Sequence, residues 1–170
     1  IDILLNTVGE RDRRSVRRNE PEDFDQLVAV DLGAVYRLVN RVMPGMIERR
    51  HGRILSVTSI VDRLAANGSP TYTAAKGGLA ALTRALAAEL GQHGITCNAI
   101  SPGFFATETN ATMTEGESGA QRARRVPLNR WGQPREIAGA ALLLASPAGG
   151  YINGHTLVVD GGISATYDMM

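Results

Sequence analysis

The sequence lacks several features that would point to particular classes of protein. It contains one cysteine, Cys97, so a disulfide framework is excluded and a reducing compartment, the cytoplasm, is expected. Its net charge of +1 gives no electrostatic reason to expect nucleic acid or a membrane surface as a partner. No apolar run approaches ~18 residues, the length that favours a membrane span, and the first residues are not built like a signal peptide. These absences favour a soluble protein, and its 170 residues favour a single domain over 1–170.

Short apolar segments alternate with segments of helical periodicity along the chain. We predict strands at 1–8, 53–60, 95–101 and 155–162, and helices at 22–50, 70–93 and 133–147. Pro44 is expected to bend the first helix, and Ser69 to cap the second with Pro70 in its first turn. The stretch between the third strand and the last helix is expected to be irregular. This order predicts an α/β fold with a parallel sheet covered on both faces.

One helix carries a tyrosine and a lysine four residues apart, in "SPTYTAAKGG" (69–78). Residues at this spacing share a helix face, so Tyr72 and Lys76 are expected to be neighbours near the positive N-terminal end. A free phenol ionises only near pH ~10, but an adjacent ammonium and the helix dipole both favour the phenolate. The pair therefore predicts a general acid/base. A half-buried tyrosine beside a solvated lysine is the structural alternative.

A serine ends the preceding strand, in "RILSVTS" (53–59). Because parallel strands present their carboxyl ends at one edge, Ser59 is expected near Tyr72, where its hydroxyl could bond a substrate oxygen. A serine at a strand end also commonly forms a turn.

Four segments in this order resemble the motifs of the short-chain dehydrogenase/reductase family: "ILLNTVG", "RILSVTS" with "YTAAK", "NAISPGFFAT" and "YINGHTLVVDGG". The resemblance implies a doubly wound, Rossmann-like parallel sheet, here truncated to its C-terminal part, strands four to seven with flanking helices. It also implies hydride transfer between NAD or NADP and a small-molecule carbonyl or alcohol. Family members form homo-oligomers, so a dimer or tetramer is expected, with no metal ion.

The same resemblance implies roles for individual residues. Tyr72 would be the acid/base, Lys76 would assist it and bond the nicotinamide ribose, and Ser59 would orient the reacting oxygen. The cofactor would also meet a set of residues in or after the first and third strands: Asn6, Gly9, Pro102, Gly103, Phe105 and Thr107.

Within the family, "PGFFATETN" and "RWGQPREIAGAALLLAS" resemble sugar-acid dehydrogenases such as gluconate 5-dehydrogenases. Arg13 lies four residues after the glycine of the first motif, and a guanidinium can bond both oxygens of a sugar-acid carboxylate. The alternative is that Arg13 is one more arginine of a solvated loop.

Asp31, in "VDLGA", stands where the family's pattern has a catalytic asparagine. The two side chains have the same shape, but an ionised aspartate only accepts hydrogen bonds. It could pair with Lys76 through water or strengthen that lysine's hold on its proton. We expect Asp31 to modulate catalysis.

A second departure is larger, because no Gly-rich turn of the T-G-x-x-x-G-x-G type occurs in the sequence. Such a turn normally receives the cofactor's pyrophosphate. The chain is then expected to be a fragment of a full enzyme, a chain completed by another polypeptide, or a degenerate relative. The last would make it a catalytically inactive oligomerisation or interaction subunit.

Overall fold

A computed structural model of the protein describes residues 1–65 and 67–166. Four strands form one sheet in the order β1-β2-β3-β4, and every neighbouring pair is parallel. The strands are β1 (Ile3–Asn6), β2 (Gly52–Val57), β3 (Ile95–Pro102) and β4 (Thr156–Val159). All four predicted strands are confirmed, as is the α/β class with a parallel sheet.

The helices cover both faces of this sheet. They are α1 (Pro21–Val28), α2 (Ala34–Arg49), α3 (Pro70–Leu90), α4 (Ala111–Thr114), α5 (Gly116–Arg124) and α6 (Ala138–Ala145). Within the described residues, no helix is both long enough and apolar enough to span a bilayer.

Successive strand residues point to opposite faces, so one strand contributes to two apolar cores. On one face, Ile54 of β2 packs with Val39 of α2 and Leu79 of α3. On the other, Leu55 packs with Leu144 of α6. Each of these side chains is at most 1% exposed, and full burial of such a residue stabilises the fold by about 1.5–3 kcal/mol.

The helix predicted at 22–50 is interrupted, but not at its proline. A π-helical turn at Ala29–Gly33 separates α1 from α2, while α2 continues across Pro44. A π-helical turn adds a residue to the helical repeat, and such turns are frequent at functional sites. This one contains Asp31, whose side chain is fully buried.

The stretch expected to be irregular contains the helices α4 and α5. Gly119 of α5 lies against the backbone of Thr114, where a Cβ would clash, and its carbonyl accepts a hydrogen bond of 3.1 Å from the Trp131 indole. Because α5 has few apolar residues, these contacts with Thr114 and Trp131 contribute to holding it in place.

The start of α3 differs from the expectation in one detail. Pro70 occupies the first turn as predicted, but the Ser69 side chain makes no capping hydrogen bond. The helix is followed by a short turn at Gly91–His93 and the left-handed residue Gly94, which confirms the predicted end.

Candidate active site

The carboxyl ends of the four strands meet at one edge of the sheet, as parallel pairing requires. The loops after β1, β2 and β3 begin there with Thr7, Thr58 and Gly103. In open α/β sheets, ligands bind outside this edge. The first turn of α3 brings Tyr72 to the same place.

Tyr72 and Lys76 lie one turn apart on α3, and both are buried, with 8% and 3% of their surfaces exposed. The Lys76 Nζ lies 5.6 Å from the centroid of the Tyr72 ring. It also donates a hydrogen bond of 3.3 Å to the carbonyl of Val57, at the end of β2. The sheet therefore fixes the ammonium beside the phenol.

Asp31 contacts this lysine directly rather than through water. Its Oδ2 lies 3.1 Å from Lys76 Nζ, and the two side chains are 0% and 4% exposed. The contact is ionic but poorly aligned for hydrogen bonding, so Oδ2 has no hydrogen-bond donor within the described chain. Oδ1 accepts a hydrogen bond of 2.6 Å from the backbone of Glu10, which ties the loop after β1 to the pair.

Gly9 lies against the same ion pair. A Cβ at this position would be 2.8 Å from Lys76 Nζ and 3.5 Å from Asp31 Oδ2. A side chain at this position would displace the Lys76 ammonium, so glycine keeps the space beside Nζ free.

Ser59 begins the short turn Ile60–Asp62 that follows β2. Its Oγ accepts a long hydrogen bond of 3.5 Å from the backbone of Val61. As an acceptor there, the hydroxyl retains its own proton for donation to another oxygen.

Two cavities meet at these side chains. One, of about 350 Å³, extends toward Lys76 and Thr107, and the other, of about 660 Å³, extends toward Arg13 and Trp131. Five residues line both cavities: Arg11, Ser59, Tyr72, Gly103 and Asn110. The phenol and the serine hydroxyl thus belong to the wall that the cavities share.

Most residues that were predicted to contact a cofactor line the smaller cavity: Gly9, Tyr72, Lys76, Pro102, Gly103, Phe105 and Thr107. At Gly103 a Cβ would lie 2.6 Å from the Cβ of Asp160, so the chain must pass there without a side chain. The Phe105 carbonyl accepts hydrogen bonds from the Thr107 backbone and the Asn110 amide.

Asn6 does not lie with this group. Its side chain is buried at the end of β1, donates a hydrogen bond of 3.5 Å to the Leu55 carbonyl, and lines neither cavity. Contact between Asn6 and a cofactor stays a prediction.

Arg13 lines the larger cavity together with Ser59 and Tyr72, so the structure brings the three predicted substrate residues into one space. Burial lowers the pKa of Arg13, and the nearby positive charges of Arg11 and Arg122 act in the same direction.

Other polar residues at the cavities were not predicted from the sequence, among them Arg11, Asn110, Arg122 and Arg125. The Arg11 guanidinium donates a hydrogen bond of 2.7 Å to the Asn110 side chain, and its Cζ lies 5.7 Å from the Tyr72 ring centroid. Arg122 lies in the last turn of α5, and Arg125 follows three residues later as the residue that caps the helix. Had that stretch been recognised as a helix, this spacing would have placed them on one face.

Comparison with known proteins gives consistent matches along the chain. A family model described as enoyl-(acyl carrier protein) reductase matches residues 1–164. Gluconate 5-dehydrogenase of Gluconobacter oxydans is 38% identical over 167 residues, and 3-oxoacyl-(acyl-carrier-protein) reductase of Escherichia coli is 39% identical over 166 residues. These alignments cover 98% and 96% of this chain but only 65% and 66% of the two relatives.

A solved structure of similar sequence has the same fold. A gluconate 5-dehydrogenase from Burkholderia cenocepacia, in complex with NADP and tartrate, superposes with a TM-score of 0.94 at 37% identity. It covers 98% of this chain, which spans 66% of that protein. The chain belongs to the short-chain dehydrogenase/reductase family.

Proposed function

We propose that this chain carries the catalytic part of an NAD(P)-dependent oxidoreductase that interconverts a secondary alcohol and a ketone. One observation carries the proposal: Tyr72 and Ser59 lie on the wall between the two cavities, with the buried pair of Lys76 and Asp31 behind them. A cofactor in the smaller cavity and a substrate in the larger one would then meet at a proton donor.

The smaller cavity fits the nicotinamide and its ribose. Its volume of about 350 Å³ is within the usual range of ligand pockets, ~300–1,000 Å³. The bare Gly9 leaves room above Lys76, whose ammonium has three N–H donors, one of them directed to Val57 and one toward Asp31. The third can serve a ribose hydroxyl. Thr107, which lines the same cavity, would bond the cofactor's phosphate, and the sequence contains no Gly-rich turn for it.

A bound nicotinamide would supply the acceptor or donor of the hydride, and the chain's own residues would handle the oxygen and its proton. In the oxidation, the Ser59 hydroxyl donates a hydrogen bond to the reacting oxygen and orients it. The Tyr72 oxygen accepts the hydroxyl proton as the C–H bond breaks, and in the reduction it returns that proton. Lys76, held by Asp31 and the Val57 carbonyl, stabilises the negative charge on the phenolate.

For the substrate we propose a sugar acid such as gluconate, oxidised to the 5-keto acid. The Gluconobacter oxydans and Burkholderia cenocepacia relatives are named for this reaction, and the latter holds tartrate, a hydroxy acid. Arg13 in the larger cavity is a suitable partner for the carboxylate. The similar identity to a 3-oxoacyl reductase means that overall likeness does not decide the substrate, whereas the guanidinium groups of the cavity favour an anion.

Further parts of the proposal concern the whole molecule. We propose that residues 1–170 act as a single domain in the cytoplasm and assemble as a homodimer or homotetramer. Half-exposed apolar side chains on α2, Tyr36 and Leu38, and the more exposed Leu142 on α6 give apolar surface for assembly.

A cofactor titration and one substitution test the function. Titration of the purified chain with NADPH or NADH should change the nicotinamide fluorescence, and the absence of binding at millimolar cofactor would end the proposal in favour of an inactive interaction subunit. Tyr72→Phe should lower kcat by about 10²–10⁴-fold, the usual contribution of a general acid/base, and leave cofactor affinity nearly unchanged. Equal turnover in this variant would show that another group moves the proton.

A further inference from the structure

The charged side chains that line the larger cavity are all positive. Its lining includes the guanidinium groups of Arg11, Arg13, Arg122 and Arg125, and no aspartate, glutamate or lysine among the described residues. Four like charges around a space of about 660 Å³ repel one another, so they favour an anion between them.

Glu10, next to Arg11, lines the smaller cavity and not the larger one, and two other nearby acidic residues are paired elsewhere. Asp12, between Arg11 and Arg13, binds Arg14 with its Oδ1 3.0 Å from Nε. On α5, Glu117 pairs with Arg124, which does not line the cavity. Within the described chain, none of the cavity's four guanidinium groups is part of an ion pair.

The four arginines form two pairs on different elements. Arg11 and Arg13 belong to the loop after β1, which the Asp31–Glu10 hydrogen bond holds against the catalytic lysine. Arg122 belongs to the last turn of α5, and Arg125 is the residue that caps the C-terminal end of this helix, whose Gly119 carbonyl bonds the Trp131 indole. One carboxylate is saturated by a bidentate guanidinium and one or two further donors, so it does not need both pairs.

We propose that the substrate carries two anionic groups, one bound by the pair Arg11 and Arg13 and the other by the pair Arg122 and Arg125. This inference rests on the proposed function, because it takes the reacting alcohol to lie at Tyr72, in the wall of the cavity that all four arginines line. The first anion is the sugar-acid carboxylate. The second is another carboxylate or a phosphate ester, either of which provides the charge that α5 recognises.

Calorimetric titration of the purified chain, with and without saturating NADPH, tests the proposal with three probes. Gluconate has one carboxylate, glucarate has two, and 6-phosphogluconate has a carboxylate and a phosphate ester. At least one of the latter two should bind about tenfold or more tightly than gluconate, as expected for one additional charge-assisted contact. Which of them does so distinguishes a dicarboxylate from a phosphate ester. Equal affinity for all three probes, or no binding of any, overturns the proposal.

Substitutions on α5 locate the second anion. Arg122→Gln and Arg125→Gln should each weaken the preferred dianion by about tenfold while changing gluconate affinity little. Arg124→Gln removes the same charge from the same helix outside the cavity, and it should leave both affinities unchanged. A dianion whose affinity is insensitive to Arg122 and Arg125, or equally sensitive to Arg124, refutes the assignment.

The outcome is separable from that of the proposed function. Binding of these probes is measured as heat and does not require turnover, while the Tyr72→Phe experiment reports on proton transfer alone. A chain that selects dianions through α5 but shows no Tyr72-dependent turnover would retain the inferred ligand class and lose the proposed reaction. A chain that turns over gluconate through Tyr72 but ignores the second anion would do the opposite.

Discussion

Removal of the Asp31 carboxylate should destabilise the protein far more than replacement of that carboxylate by an amide. Asp31 and Lys76 are 0% and 4% exposed and lie 3.1 Å apart, so neither charge is compensated by water. Breaking such a buried pair by deleting one partner costs about 3–5 kcal/mol, because the other charge stays buried without its counterion. In Asp31→Ala, the ammonium would keep only its 3.3 Å hydrogen bond to Val57.

The expected shift in melting temperature follows from the size of the chain. For a domain of 150–250 residues, 1 kcal/mol corresponds to about 2–4 °C, so Asp31→Ala should lower Tm by about 6–20 °C. Asp31→Asn keeps an acceptor for the Glu10 amide and an oxygen near Nζ, and its cost should be about 1–3 kcal/mol. Thermal and urea unfolding of both variants measure these differences.

A double variant provides the control. The double variant Asp31→Leu with Lys76→Met removes both charges. It should be more stable than Asp31→Leu alone or Lys76→Met alone, since apolar residues of similar size replace buried ion pairs with little loss. The reasoning from burial of the pair is refuted if Asp31→Ala costs less than about 1 kcal/mol. It is also refuted if the double variant is less stable than both of its single variants.

Three other predictions concern different parts of the chain. Burial raises the pKa of Cys97 to about 12, so its thiol should not react with Ellman's reagent at pH 8 until urea is added, and rapid labelling of the native chain would contradict this. Gly103→Ala should lower the free energy of unfolding by about 1–3 kcal/mol through overpacking. Gly77→Ala has open space at its Cβ position, so it should raise the free energy of unfolding by up to about 1 kcal/mol through helix propensity. A urea midpoint that falls in both variants would contradict this geometry. The hydrogen bond from Arg130 lowers the pKa of Glu136 to about 2, so the pair stabilises the fold above the unfolded carboxyl's pKa of ~4.3 and loses this contribution as the pH falls toward 2. Arg130→Gln should therefore lower the urea midpoint at pH 6 but not near pH 2, and an effect independent of pH would refute the ion pair.

The sequence predicted the parts of the fold that depend on local pattern. The four strands and the helix α3 that packs on the sheet follow from apolar runs and helical periodicity, which are patterns within a few residues. Tyr72 and Lys76 were predictable as neighbours because a helix fixes side chains four residues apart, whatever surrounds it.

Features that depend on distant contacts were not predictable in this way. The π-helical turn at Ala29–Gly33 is favoured by the burial of Asp31 against Lys76, which lies 45 positions further along the chain. The polar helix α5 depends on Trp131, and so the positions of Arg122 and Arg125 depend on it too. A sequence window around Asp31 does not include Lys76.

The Asp31 carboxylate also changes how the charge around the proposed acid/base is divided. Two cations flank the Tyr72 ring at nearly equal distances, Lys76 Nζ at 5.6 Å and Arg11 Cζ at 5.7 Å. The first has a carboxylate 3.1 Å away, whereas the second donates its hydrogen bond to the neutral amide of Asn110. Since the Asp31 carboxylate offsets part of the lysine's charge, Arg11 provides a second positive charge beside the ring that no carboxylate offsets within the described chain. In the proposed reaction the substrate's carboxylate approaches Arg11 and Arg13, so the Arg11 guanidinium lies close both to the bound anion and to the phenol that transfers the proton.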